Sequence, residues 1–269
     1  YKAAHDAAGT GDWAADFAPA IRLAENGFEV GEKLAAALSS ERLRAAINLD
    51  DNPVTAAYFY PGGEPLPEGH LLKNPDYAET LKAIAAEGPS AFYKGEIAEG
   101  IIAAAGAEPY GSVMTLDDLS NYTVKARPAV CGTLPSGYKI CSAPPPSSGG
   151  IAQNEIMGLY DLMKPGPNVK VSEDYYLKIF VDAQRLAYAD RDYYVADADH
   201  VTVPTADLIN PDYLKVRATE AFAPDAHATP GDPGLALGRS PMIGMWGQDQ
   251  TEHKPGTTHI SIIDTDGNA

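Results

Sequence analysis

The run Lys254-Pro255-Gly256-Thr257-Thr258-His259-Ile260-Ser261-Ile262-Ile263-Asp264 sets a threonine directly behind a Pro-Gly pair. The apolar residues that follow alternate, which predicts a strand beginning at Thr257. Attack by the Thr257 hydroxyl on the carbonyl of Gly256 needs a slim, conformationally free residue there, and glycine has no Cβ. Pro255 fixes the approach of the chain. The amide would become an ester, water would cleave it, and Thr257 would begin a new chain. Its hydroxyl would then sit beside its own α-amine, a base with a pKa of about 8. Taken by itself, the run also reads as an ordinary turn into a strand, with threonines placed for β propensity. His259 falls on the same strand face as Thr257. It either orients the hydroxyl during cleavage or serves as a structural hydrogen-bonding group.

Composition narrows the partners. Hydrophobic residues make up 45% of the 269, enough for a packed core. With 20 Lys+Arg against 37 Asp+Glu, the net charge is -17. That balance repels phosphate backbones and anionic lipid, so nucleic acid and membrane surfaces are not expected partners. No apolar run approaches the roughly 18 residues of a spanning helix. Tyr1 opens in mid-helix with neither an initiator Met nor a leader, so the chain reads as an excised segment.

The two cysteines bear on compartment. Ala129 to Leu134, then Pro135-Ser136-Gly137, then Tyr138 to Cys141 predicts a hairpin with a short, Gly-containing loop. Pairing Leu134 with Tyr138 puts Cys131 opposite Cys141, and directly opposed strand positions lie within disulfide reach. Two buried free thiols are the alternative. A Cys131–Cys141 bond favours an oxidising compartment such as a periplasm, or secretion.

Helical patterning is expected from Asp12 to Asn26-Gly27, and again from Leu34 through Leu38 and Leu43 to Ile47. Val54 to Leu72 reads as turns around a short strand. Further helices are expected from Pro75 to Gly88, around Ile97 to Gly106, after Thr115 (a near capping box with Asp118), and from Ile151 to Met163. Ser172 should cap a long helix with Tyr176, Phe180, Ala183 and Ala187 as its core stripe. From Pro204 to Pro255 the chain should be irregular, apart from one helix near Pro211 to Phe222, and loops of that length tend to be functional.

Two other clusters carry possible chemistry. Ser147-Ser148-Gly149-Gly150 offers backbone amides at a helix start, either for a carboxylate or oxyanion or as a tight, proline-stiffened connection. Arg191, within Asp190-Arg191-Asp192, could grip a substrate carboxylate. The simpler role is pinning the helix end to a neighbouring loop, with Asp190 or Asp192 as partner. No metal-ligand spacing and no phosphate-binding glycine loop is present in the sequence.

Several segments together resemble the γ-glutamyltranspeptidase family. They are Pro19 to Ala24 with Gly27-Phe28, Gly88-Pro89 with Phe92 to Gly95, and Pro144 to Gly150 with Ile151. Tyr188-Ala189-Asp190-Arg191 and Thr257-Thr258-His259 with Asp266 to Ala269 complete the set. They run in family order along almost the whole chain. The resemblance implies an α+β fold of the N-terminal-nucleophile hydrolase type, an αββα sandwich, of which this chain is an incomplete, helix-rich part. It further implies a single segment spanning 1–269, in which 1–256 is large-subunit chain and 257–269 the start of the small subunit.

By the same resemblance Thr257 is both processing residue and nucleophile, attacking the γ-carbonyl of glutathione or another γ-glutamyl amide. Water, an amino acid or a dipeptide would then accept the group. No metal or organic cofactor is implied. The family's arginine for the substrate α-carboxylate falls before Tyr1, and its remaining substrate-gripping groups fall after Ala269. The paired serines of the family are therefore not Ser147 and Ser148. The segment alone is expected to be inactive, and its uninterrupted Gly256-Thr257 to belong to unprocessed precursor. Two alternatives stand beside this: a β-lactam (glutaryl-cephalosporin) acylase of the same superfamily, and a non-catalytic periplasmic binding homologue.

Overall fold

Side-chain caps decide where most helices begin in the computed structural model, which describes residues 1–47, 52–108, 111–220, 223, 225–250 and 260–267. The chain divides into two compact units, Tyr1–Lys125 with Glu252–Ala269, and Ala126–Thr251.

The first unit opens with α1 (Lys2–Ala8) and α2 (Trp13–Asn26). An Asp12 carboxylate oxygen accepts from Ala14 N–H at 3.3 Å to start α2, which stops at Gly27, as expected. Strand β1 (Phe28–Glu29) pairs antiparallel with β2 (Leu71–Leu72), so that Phe28 faces Leu72. Between them, the run expected to continue from Leu34 to Ile47 is broken in two, α3 (Glu32–Leu38) and α4 (Glu41–Ile47). Ser40 Oγ accepts from Leu43 N–H at 3.3 Å, and a serine capping a new helix competes with continuation of the old one.

The turns expected after Val54 are in part a helix, α5 (Pro53–Phe59). Asn52 Oδ1 accepts from the Val54 and Thr55 amides at 3.0 and 3.2 Å, and Pro53 sits in the first turn, where its missing N–H costs nothing. Val30, Leu38, Tyr60, Leu66 and Leu72 form the core here, with Tyr60 Oη donating to Leu38 O at 3.0 Å. Helix α6 (Pro75–Glu87) packs along α2, and Trp13 Nε1 donates to Ile84 O at 3.2 Å. Then come α7 (Ser90–Tyr93), α8 (Glu96–Gly106) and α9 (Leu116–Ser120), the last started by a reciprocal Thr115–Asp118 capping box.

In the second unit, β3 (Val130–Thr133) and β4 (Lys139–Ser142) form the expected hairpin, with Leu134 N–H donating to Tyr138 O at 2.8 Å. Cys131 faces Cys141 in register, and the two are joined as a disulfide. Helix α10 (Gly149–Met163) packs on the hairpin and on α11 (Glu173–Tyr194). Gly150 permits that approach: a Cβ there would lie 2.5 Å from Ala143 O.

The buried stripe of α11 is Ile179, Ala183, Leu186, Ala187, Asp190 and Tyr194. Tyr176, expected in it, is exposed, and Phe180 is only half-buried. Ala183 and Ala187 are buried as expected; the first turns of the helix, residues 173–178, are exposed along with Tyr176. Helix α13 (Pro211–Arg217) is the one expected near Pro211, while short helices α12 (Thr205–Leu208) and α14 (Pro233–Ala236) interrupt the rest of the stretch expected to be irregular. Helix α13 ends before the expected Phe222, which lies outside the described residues. The core joins Ile151, Leu159, Ala183, Leu186, Tyr194, Leu208, Tyr213 and Leu214.

Among the described residues the fold is helix-rich, with two two-stranded sheets. Ile260 to Asp264, expected to form a strand, does not: Ile260, Ile262 and Ile263 are exposed. An alternating run needs neighbouring strands to complete a ladder.

Candidate functional site

Gly256, Thr257 and His259 lie outside the described residues. Upstream of them, residues 231–249 are held by the C-terminal end of α11. Asp190, on the buried face, is the hub. Its carboxylate accepts from Arg217 Nε at 3.1 Å and Arg217 Nη2 at 2.9 Å, from Tyr213 Oη at 2.6 Å, and from Gly231 N–H at 2.7 Å. Both charged side chains are 1% exposed. Arg217 also donates to Leu186 O at 3.2 Å, to Thr229 O at 2.5 Å and to Glu220. Tyr194 Oη donates to Gly231 O at 2.7 Å. Gly231 cannot be replaced without disruption, since a Cβ would stand 2.3 Å from Tyr213 Oη.

Burial pushes the Asp190 carboxyl above its ordinary value, against the opposing pull of Arg217, Tyr213 and the Gly231 amide. Four donors nevertheless face it, so it stands as a carboxylate matched by a bidentate guanidinium. Burial likewise pushes the Tyr213 hydroxyl up, reinforced by the Asp190 charge, so Tyr213 remains a donor. Sealed from solvent, this cluster ties chain segments together and has no open face for a substrate.

Glu155, on α10, is different. It is fully buried, and neither carboxylate oxygen has a hydrogen-bond partner. Burial, with Asp190 as a like charge and Arg217 opposing, holds its pKa well above the ordinary carboxylate range. The environment therefore favours its protonated form.

Arg191 pins the helix end, the simpler of its two expected roles. It donates to Asp192 at 2.6 Å and pairs with Asp249 of the approaching loop at 3.6 Å. Asp190, offered as a possible partner, is engaged with Arg217 instead. The Ser147 to Gly150 amides are turned inward: Ser147 N–H donates to Pro144 O at 3.1 Å, Gly149 N–H to Ser147 Oγ at 3.3 Å, and Gly150 N–H to Ala143 O at 2.8 Å. This is the tight connection, with a cis Pro145–Pro146 bond, rather than an anion site.

A cavity of about 410 Å³ opens between the hairpin, α10 and α13, lined by Leu134, Asn154, Leu162, Ile209 and Leu214 among others. Its lining includes the disulfide-bonded Cys131 but neither Ser147 to Gly150 nor Arg191. Among the described residues no cluster of three or more His, Cys, Asp or Glu could hold a metal ion, and no helix is long and apolar enough to cross a membrane.

Sequence reasoning missed Arg217, Tyr213, Gly231 and Glu155. Asp190 and Arg217 are 27 residues apart, a separation that leaves no periodic trace. The available signal was Glu155 itself, an acid in the middle of a helix whose buried face is otherwise apolar or small apart from Asn154.

A family model described as Gamma-glutamyltranspeptidase matches residues 1–269. The chain belongs to the γ-glutamyltranspeptidase family. A glutathione hydrolase proenzyme of Bacillus subtilis (strain 168) is 34% identical over 255 residues, covering 93% of this chain and 41% of the relative. An Acylase ACY 1 proenzyme of Pseudomonas sp. (strain V22) is also 34% identical, over 250 residues, covering 93% of this chain and 40% of the relative. The crystal structure of Helicobacter pylori γ-glutamyltranspeptidase superposes with a TM-score of 0.72 at 32% identity, covering 93% of this chain and 68% of that one. The chain thus spans about two fifths of the length of the curated γ-glutamyltranspeptidase relatives it matches.

Proposed function

We propose that this chain is part of an autoprocessing γ-glutamyl transferase and hydrolase acting on glutathione and other γ-glutamyl amides. The observation that carries the reading is the family match, which runs without interruption through Gly256-Thr257-Thr258-His259. In processing, Thr257 Oγ adds to the Gly256 carbonyl carbon, the amide C–N bond breaks, and an ester forms as the Thr257 nitrogen takes up the proton. Water cleaves the ester, leaving a carboxylate on Gly256 and a free amine on Thr257. His259 assists by orienting the hydroxyl.

In turnover the α-amine takes the hydroxyl proton while Oγ attacks the γ-carbonyl of the substrate. The leaving amine departs with that proton, and a γ-glutamyl ester remains on Thr257. Water releases glutamate, or the amine of an amino acid or dipeptide accepts the group. No metal or organic cofactor enters these steps.

We assign the remaining substrate-gripping groups to residues beyond 1–269, consistent with relatives longer than the matched span. Residues 1–256 would be large-subunit chain and 257–269 the start of the small subunit, and the complete molecule would form the αββα sandwich. The Cys131–Cys141 bond supports a periplasmic or secreted location. The acylase reading is favoured by one specific observation, the equal 34% identity to an acylase proenzyme. Incubating the full-length precursor, then assaying γ-glutamyl-p-nitroanilide against glutaryl-7-aminocephalosporanic acid, separates the two. Preferential turnover of the anilide is expected; preference for the cephalosporin would replace this reading. A precursor that never splits would favour the non-catalytic homologue.

A further inference from the structure

Strand β3 has one free edge, and a cavity lies beside it. Leu134 N–H donates to Tyr138 O at 2.8 Å, which makes Leu134–Tyr138 a hydrogen-bonded pair of the hairpin. In an antiparallel ladder such pairs alternate with non-hydrogen-bonded ones. Gly132 opposite Ile140 and Val130 opposite Ser142 are therefore bonded pairs, whereas Cys131 opposite Cys141 and Thr133 opposite Lys139 are not. The Cα atoms of Cys131 and Cys141 stand 4.1 Å apart, the closer spacing of the second kind. The N–H and C=O groups of Cys131 and Thr133 thus point away from β4, and β3 has no second neighbouring strand among the described residues.

Beside those groups lies the cavity of about 410 Å³, lined by Cys131 and Thr133 and also by Ile209 and Leu214. Val130 and Leu134 are buried on the other face of the strand, while Cys131 and Thr133 are exposed, so the cavity meets the backbone edge of these two residues. Asn154, 3% exposed, belongs to the same lining. Its Nδ2 donates to Gly150 O at 2.7 Å, and its Oδ1 is buried without a partner. A buried acceptor left unpaired costs free energy that a donor entering the cavity would recover.

We propose that this edge is a strand-acceptor site: an extended segment from the small-subunit part of the precursor adds to β3. It bonds to Cys131 and Thr133, turns alternate side chains into the cavity, and brings a donor to Asn154 Oδ1. This rests on the reading of the chain as part of a longer γ-glutamyl transferase precursor. Three observations favour that occupant. The free groups recur at every second residue, which is the repeat of an extended backbone. The sandwich proposed for the complete molecule requires wider sheets than this hairpin. The Bacillus subtilis relative is covered to only 41% of its length, so such a precursor has ample further chain.

The test uses full-length precursor and its processed form. Exchange of the Cys131 and Thr133 amide hydrogens, read residue by residue, should be slowed about a hundredfold or more relative to unpaired amides. Thr133→Pro deletes an outward N–H without touching the bonds to β4, and Lys139→Pro does the same on the outer edge of β4. Thr133→Pro should weaken retention of the small subunit about tenfold, while Lys139→Pro should leave it unchanged. A p-benzoylphenylalanine in place of Lys215, in the cavity lining, should crosslink on irradiation to a peptide beyond Ala269. Unslowed exchange at Cys131 and Thr133 would overturn the proposal. So would equal effects of the two prolines, or an adduct to residues 1–256, to a second copy or to another protein. If Thr133→Pro does not fold, the exchange and the adduct decide. Neither of these depends on turnover. A wild-type precursor that fails to split or to hydrolyse γ-glutamyl-p-nitroanilide rejects the functional reading, while exchange and adduct still judge the strand site.

Discussion

At the scale of single residues, Glu155 has the clearest measurable consequence. Its carboxyl is raised by burial, so the folded protein binds a proton there that the unfolded chain has already released above its ordinary pKa of about 4.3. Stability from this group is complete below that value and declines as pH rises toward the folded pKa. Glu155→Gln cannot ionise, so its stability relative to the wild type should rise as pH climbs from the ordinary carboxylate range toward the folded pKa. Thermal midpoints across that range would show the difference; parallel curves would mean Glu155 is not held neutral. Arg217 behaves oppositely. Arg217→Ala leaves Asp190 charged, buried and without its counter-ion, for a loss of about 3–5 kcal/mol in denaturant unfolding. The Asp190–Arg217 pair was not legible in the sequence, because a contact between distant helices obeys no spacing rule. Cys131 and Cys141 were legible, since a hairpin loop fixes strand register and register fixes which side chains meet.

Among the elements, capped ones were foreseen and the errors have local causes. Helix α2 and helix α9 follow from Asp12 and from the Thr115–Asp118 pair, and both bonds are present. Helix α5 was not expected, although Asn52-Pro53 is a start signal of the same kind, because the stretch that follows it, with Pro61-Gly62-Gly63, carries the composition of turns. Asn52→Ala should cost about 1 kcal/mol, measured as a lower unfolding midpoint, and Asn52→Asp should restore most of it. The core stripe of α11 holds at Ala183 and Ala187 and fails at Tyr176, because the first turns of the helix are exposed. For the hairpin, the disulfide closes a loop over a separation of 10 residues. Replacing both cysteines by serine should lower stability by about 2–3 kcal/mol. An unchanged midpoint would show that the bond is not formed in the folded protein.

For the whole molecule, the family was readable because its motifs are short, ordered and spread along the chain. Among the described residues the only sheets are two two-stranded ones, and no sandwich is present. The segment 1–269 alone should therefore show no γ-glutamyl hydrolysis, and turnover by it would place the substrate-gripping groups within these residues after all. The most direct measurement is intact mass with N-terminal sequencing of the full-length precursor after incubation. We expect two chains divided between Gly256 and Thr257, with a free amine on Thr257, and a single chain from Thr257→Ala. A wild-type precursor that stays whole, or a Thr257→Ala precursor that divides at the same bond, would contradict the assignment of Thr257.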